Sequence, residues 1–141
     1  MAAFVLDASV AVSWCFPGDP GEDTPYSRRI LALLANHDAV VPAIWAYEIA
    51  NSIFVSCKRR SRINEAQIEE YLQLLNALPI RQETSGLWSN VQLESRARKW
   101  DLSPYDAAYL DLAKRLSLPL ATRDSALITA AESEGIELLS R

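Results

Sequence analysis

Short apolar runs alternate along this chain with stretches of helical periodicity, and strands arranged that way have few options except to lie side by side in one parallel sheet. The runs predict strands at 4–6, 39–41, 79–82, 118–122 and 136–139. Between them, helical patterns are expected at 8–14, 24–36, 42–60, 65–77, 85–100, 104–116 and 125–134. Several boundaries carry mechanical signals. Pro42 and Pro104 suit a first helical turn, Asn64 with Gln67 makes a capping-box pair, and Gly135 suits the turn that ends a helix. The fold class expected is α/β: a three-layer α/β/α sandwich around a five-stranded parallel sheet. At 141 residues the chain is most simply one domain, 1–141, long enough to bury about two thirds of its unfolded surface.

Asp7, Glu48, Asp106 and Asp124 stand where such a fold would bring them together. Asp7 closes the run Phe4-Val5-Leu6, Asp124 follows Leu120-Ala121-Thr122, and Asp106 opens the helix after Ser103-Pro104-Tyr105. In an open parallel sheet, ligands bind in the crevice beyond the carboxyl ends of the strands. Each of these three also has a plain structural role available. Asp7 could N-cap the helix after its strand, Asp106 stands at the capping-box position three residues after Ser103, and Asp124 could complement a helix dipole in a first turn. Glu48 is harder to explain away. Positions 44, 48, 51 and 55 fall on one helical stripe that reads Ile, Glu, Asn, Val. An ionised carboxylate there must be paired, hydrogen-bonded or metal-bound, and Asn51, one turn on, is its expected orienting neighbour.

Carboxylate oxygens suit hard cations, so Asp7, Glu48, Asp106 and Asp124 are the candidate catalytic and metal-binding residues, with Mg²⁺ as the expected ion and Mn²⁺ able to substitute. Other chemistries lack parts. His37 is the only histidine, which excludes a paired-histidine ribonuclease, and the want of His and Cys ligands excludes a zinc site. No GxxxxGK[ST] or GxGxxG loop occurs. A phosphotransfer or phosphatase-like domain using Asp7 wants a second acid within two residues, and Ala8-Ser9 do not supply it.

The balance of 14 basic and 18 acidic residues, net −4, argues against a protein that coats nucleic acid by bulk charge. Once the four acids hold metal, the remaining surface is neutral and local basic patches could guide a polyanion. Lys58-Arg59-Arg60-Ser61-Arg62 is the dense basic run, at a helix end where cations complement the dipole. The segment 16–25 is too rich in Pro and Gly for regular structure, and it could be a flap near the site or a plain surface loop. Cys15 and Cys57 read as buried thiols in a reducing compartment. The N-terminus enters a strand without a signal-peptide pattern, and no apolar run reaches the roughly 18 residues of a membrane span, so a soluble, cytoplasmic protein without membrane association is expected.

The segments FVLDAS, WAYEIAN, LSPYDAAYLDLA and LPLATRD, in that order, resemble the four acidic motifs of PIN-domain ribonucleases, in particular the VapC-type toxins of toxin–antitoxin pairs. The resemblance implies that Asp7, Glu48, Asp106 and Asp124 are the metal-binding acids and that Ser9, Asn51 and Thr122 are supporting polar residues. It implies an endoribonuclease that hydrolyses RNA to a 5′-phosphate and a 3′-hydroxyl, a homodimer, and a small antitoxin whose tail covers the acidic pocket. A catalytically silent PIN-like binding module is the alternative, and the intact acids argue against it.

Overall fold

A computed structural model describes residues 2–139, so the outermost residues of the expected 1–141 unit lie outside it. Strand β1 (Ala2–Leu6) is buried almost throughout, because Phe4, Val5 and Leu6 are covered on both faces of the sheet. β2 (Asp38–Val41) and β3 (Ile80–Gln82) follow on one side of it and β4 (Leu120–Ala121) on the other. All pairings are parallel and the order is β3-β2-β1-β4. The chain therefore winds outward from β1 through β2 to β3, then returns to the far side of β1. That reversal makes a topological switch point between β1 and β4, the place where an open α/β sheet leaves its crevice.

The helices fall into two packed groups. α1 (Ala8–Ser13) lies against α2 (Pro25–Leu33) and α3 (Ile44–Phe54), whereas α7 (Pro104–Leu116) packs on α6 (Leu93–Trp100), α8 (Ser125–Ser133), β1 and β4. Right-handed crossovers of opposite winding direction assign such groups to opposite faces of the sheet. α4 (Glu65–Ala77) joins the first group through Tyr71, whose buried hydroxyl donates to the Ala11 carbonyl at 2.6 Å. The capping box at its start is formed as expected, with Asn64 and Gln67 each accepting the other's backbone N–H at 2.9 Å. No helix among the described residues is long and apolar enough to cross a membrane.

Three expectations are corrected. The sheet has four strands, not five: residues 136–139 make a single parallel bridge, Leu120 with Leu138. β4 is only two residues long, following Pro119, which has no N–H to give, and a fifth strand finds one residue to pair with. The helix expected at 85–100 is interrupted at Gln92, giving α5 (Leu87–Val91) before α6. The helix expected at 42–60 is regular only as α3 and closes in a wider π turn, Val55–Arg59, that carries Lys58 and Arg59 at its solvated end. The loop before α2 is not loose. Asp23 accepts the Gly18 N–H and Asp19 the Gly21 N–H, each at 2.8 Å, and Gly18 takes the positive φ of 84° that the turn requires.

Candidate functional site

Asp7 leaves the end of β1 with its carboxylate 4 % exposed, and it does not cap α1 with its side chain. Its Oδ2 instead accepts two hydroxyl hydrogen bonds, from Ser9 at 2.6 Å and from Thr122 at 2.7 Å. Those hydroxyls are themselves fixed from β4's side: the Arg123 N–H donates to Ser9 Oγ and the Asp124 N–H to Thr122 Oγ1, both at 3.0 Å. Strand pairing sets this up, since the Asp7 N–H donates to the Ala121 carbonyl at 2.9 Å and so holds the two strand ends in register. Asp124 then N-caps α8, its Oδ2 accepting the Leu127 N–H at 2.9 Å.

Glu48 and Asp106 come from α3 and α7. Glu48 is half-buried, and its Oε1 accepts the hydroxyl of Tyr109, which is fully buried. The Ala8 N–H bonds the same phenol oxygen, so Tyr109 ties Glu48 to the turn that carries Asp7. Burial and the nearby carboxylates push the Tyr109 phenol far above its ordinary range, which keeps it a hydrogen-bond donor. Asp106 sits in the first turn of α7, where Ser103 rather than Asp106 accepts the capping bond, the Asp106 N–H to Ser103 Oγ at 3.1 Å.

The acids act on one another. Burial raises the Asp7 carboxyl above its ordinary value, the Ser9 and Thr122 hydrogen bonds pull it back, and the charges of Asp106 and Asp124 add to the rise. Glu48 is raised by burial first, with Tyr109 opposing and Asp7, Asp106 and Asp124 all adding. Asp106 is raised by burial and then by Asp124, against the Ser103 hydrogen bond. As they stand the four do not close into a cage: among the described residues no three His, Cys, Asp or Glu side chains form a ready metal-binding group. The order of events is one of electrostatic coupling at longer range, with Asp7, Glu48 and Asp124 each tethered through one carboxylate oxygen and the second oxygen outside those bonds.

The chain matches the PIN domain over residues 4–133. It belongs to the PIN domain family. Its fold is similar to that of PAE2754 from Pyrobaculum aerophilum, with 18% identity, 92% of this chain and 79% of that one covered, and a TM-score of 0.65. It is likewise similar to FitAcB from Neisseria gonorrhoeae, with 20% identity, 97% and 96% covered, and a TM-score of 0.62. Comparison with curated protein sequences returns no match.

Within this PIN domain, the residues singled out in the sequence divide into those gathered at the switch point and one that is not. Asp7, Ser9, Thr122 and Asp124 form one hydrogen-bonded unit, and Glu48 and Asp106 are coupled to it by charge. Asn51 is exposed, and Glu48 takes its hydrogen bond from Tyr109 instead. α3 buries Ile49 and packs Ile44, Trp45 and Ile53 on the core, so Glu48 lies at the edge of the covered face and Asn51 beyond it. Asp111 is off the site, held by Arg115 at 2.9 Å and Arg96 at 3.4 Å. His37 is exposed, and Cys15 and Cys57 are free. Two residues were missed. Tyr109 stands one turn after Asp106, a spacing that puts both on one helix face, and Arg123 lies between Thr122 and Asp124.

Proposed function

We propose that this PIN domain is a Mg²⁺- or Mn²⁺-dependent endoribonuclease, the VapC-type toxin of a toxin–antitoxin pair, with Asp7, Glu48, Asp106 and Asp124 as its metal-binding acids. The observation that carries the reading is the carboxylate group at the switch point, where burial first and then the neighbouring acids raise the carboxyls of Asp7, Glu48 and Asp106. A group of that kind is unfavourable by itself and becomes favourable when a cation joins it. The donor set is all oxygen, the chemistry that suits a hard ion such as Mg²⁺, which takes few protein ligands. When bound, the ion supplies Lewis-acid polarisation of the phosphodiester and lowers the pKa of an attacking water.

The protein's own contribution is orientation. Ser9 and Thr122 hold the Asp7 carboxylate by one oxygen, Tyr109 does the same for Glu48, and the α8 N-terminus does it for Asp124. Such outer hydrogen bonds fix ligand geometry before substrate arrives. Asn51, exposed one turn after Glu48, is the remaining supporting residue proposed. The whole chain is read as one domain working in the cytoplasm, a setting that suits its two free cysteines. A small antitoxin and a second copy of the chain are the protein partners proposed.

The test is incubation of the purified chain with a panel of structured and single-stranded RNAs in Mg²⁺, in Mn²⁺ and in chelator, beside Asp7→Asn. Discrete cuts that need the ion and vanish in the variant are expected. Folded protein that cuts none of them under any condition would move the reading to a silent PIN binding module.

A further inference from the structure

Arg123 occupies a position that the acids alone do not explain. Its backbone N–H belongs to the Asp7 network through Ser9, while its guanidinium reaches out to donate to Glu22 Oε2 at 2.9 Å and to the Gly21 carbonyl at 2.7 Å. Both partners lie on the loop between α1 and α2. That loop carries three carboxylates, and each holds an arginine: Asp19 with Arg62 at 3.1 Å, Glu22 with Arg123 at 2.9 Å, and Asp23 with Arg28 at 2.6 Å. Arg62 also lies 4.0 Å over the Phe16 ring, so the loop is clasped by arginines from three separate parts of the chain. Meanwhile the charged groups that raise Asp7, Glu48 and Asp106 are one another, so a polyanion nearing the site meets repulsion before it meets help.

We propose that Arg123 is a phosphate-binding residue of this site, masked by Glu22 until the backbone of single-stranded RNA displaces that carboxylate. The inference rests on the nuclease reading and names how the substrate engages it. The Arg123 and Glu22 side chains are 24% and 26% exposed, so solvent reaches the pair from one side, where an ion pair has modest net strength and another anion can compete for the guanidinium. A phosphate offers the guanidinium the same two-oxygen geometry as a carboxylate. The bond to the Gly21 carbonyl does not depend on Glu22, so the loop keeps a tether to Arg123 during the exchange. The Arg123 backbone stands beside Asp124 and donates to Ser9 in the Asp7 network, so the residue links the loop to the acidic group by its main chain while its guanidinium lies on the loop side.

A plain structural staple and a masked phosphate contact predict opposite patterns. Glu22→Gln, Arg123→Gln, Arg123→Lys and the Glu22/Arg123 double change to Gln would be compared in Mg²⁺ on a single-stranded RNA that the parent cuts. KM and kcat would be separated over a range of salt, with melting temperatures measured alongside. Unmasking should lower KM about three-fold in Glu22→Gln, the range of a weak exposed pair. Loss of the cation should raise KM about ten-fold in Arg123→Gln, with partial recovery in Arg123→Lys, and kcat should stay within about two-fold throughout. The double variant should follow Arg123→Gln, and the salt slope should weaken by about 0.7, one phosphate contact on a single strand. If Glu22→Gln and Arg123→Gln move KM the same way, or not at all, while the parent cuts RNA, the proposal is overturned and the nuclease reading stands. A parent that cuts no RNA removes both.

Discussion

Asp7 is buried as a carboxylate would be only if something other than water were meant to meet it. Its native pKa lies above the ordinary 3.8, with burial as the first cause, so the folded state holds protons that the unfolded chain has released. For a group raised in this sense, the stabilising effect is fully present below the unfolded value and is lost as pH rises through the folded one. Glu48 and Asp106 shift the same way, so without divalent ions this chain should gain stability from these groups as pH falls from neutral toward the carboxylate range. Asp7→Asn removes one of the charges and keeps an acceptor oxygen for Ser9 and Thr122. In chelator at about pH 8 the variant should therefore melt above the parent, by about 1.4 kcal/mol for each pKa unit relieved, with the gap closing near pH 4. Mg²⁺ should reverse the order, stabilising the parent by about 2.7 kcal/mol at 100 times the dissociation constant and the variant by less. Thermal melts across pH, with and without the ion, check both signs, and a parent that outlasts the variant in chelator at pH 8 would count against the coupled group. Asp7 was legible because it closes a strand, and Ser9 and Thr122 because they stand in the motifs that resemble the family's. Tyr109 was not, because its partner Glu48 is 61 residues away on another helix and a tyrosine in an apolar helix face reads as core.

Elements repeat that division between what is local and what is not. The N-caps Thr24, Asn64 and Ser103 formed where short polar residues precede helical patterns, since a cap depends on a few consecutive residues. Strand length did not follow from the apolar runs: Leu118-Pro119-Leu120-Ala121-Thr122 yields only two paired residues, between Pro119, which lacks an N–H, and the start of α8 capped by Asp124. The exposure of Asn51 was hidden for a similar reason, since Ile44, Trp45, Ile49 and Ile53 spread the apolar face of α3 over more than one stripe and packing set where that face ends. α8 offers a test in which cap and site separate. Asn caps a helix as well as Asp does, so Asp124→Asn should leave the melting temperature nearly unchanged while cutting RNA cleavage by at least the ten-fold to hundred-fold, roughly, that loss of even an outer partner costs. Asp124→Ala should lose the same activity and about 1 kcal/mol of stability as well, because the Leu127 N–H is left without its acceptor. Denaturant titrations beside cleavage assays distinguish the two losses, and equal destabilisation by Asn and Ala would mean that Asp124 is held by its charge and not by its cap.

At the scale of the whole molecule, the winding of the sheet puts the acids at one switch point and leaves a different face unpaired. A cavity of about 500 Å³ opens between α3, the segment after β3, and α7, with Ile44, Tyr47, Leu93 and Tyr105 among its walls and none of the four site acids lining it. Tyr47 and Tyr105 are 74% and 62% exposed, and each is the sequence neighbour of a site acid, Glu48 or Asp106. α5, which flanks the cavity, adds Leu87 and Trp88, 72% and 73% exposed. Large apolar side chains gathered on one face mark a surface that associates, and tyrosine and tryptophan are the residues that anchor such surfaces. This is the face on which the proposed second copy belongs, and a stable pair would bury about 800 Å² on each partner there. Trp88→Glu places a charge at that centre, where it must be desolvated to associate, so it should turn a dimeric parent into a monomer with an unchanged melting profile at low concentration. Sedimentation across a concentration series reads the outcome. Because the cavity shares α3 and α7 with the acids, a second copy seated there would bring its own acidic group close by, and RNA cleavage by the monomeric variant should fall mainly through KM. A parent that sediments as a monomer at every concentration would free this face for some other partner.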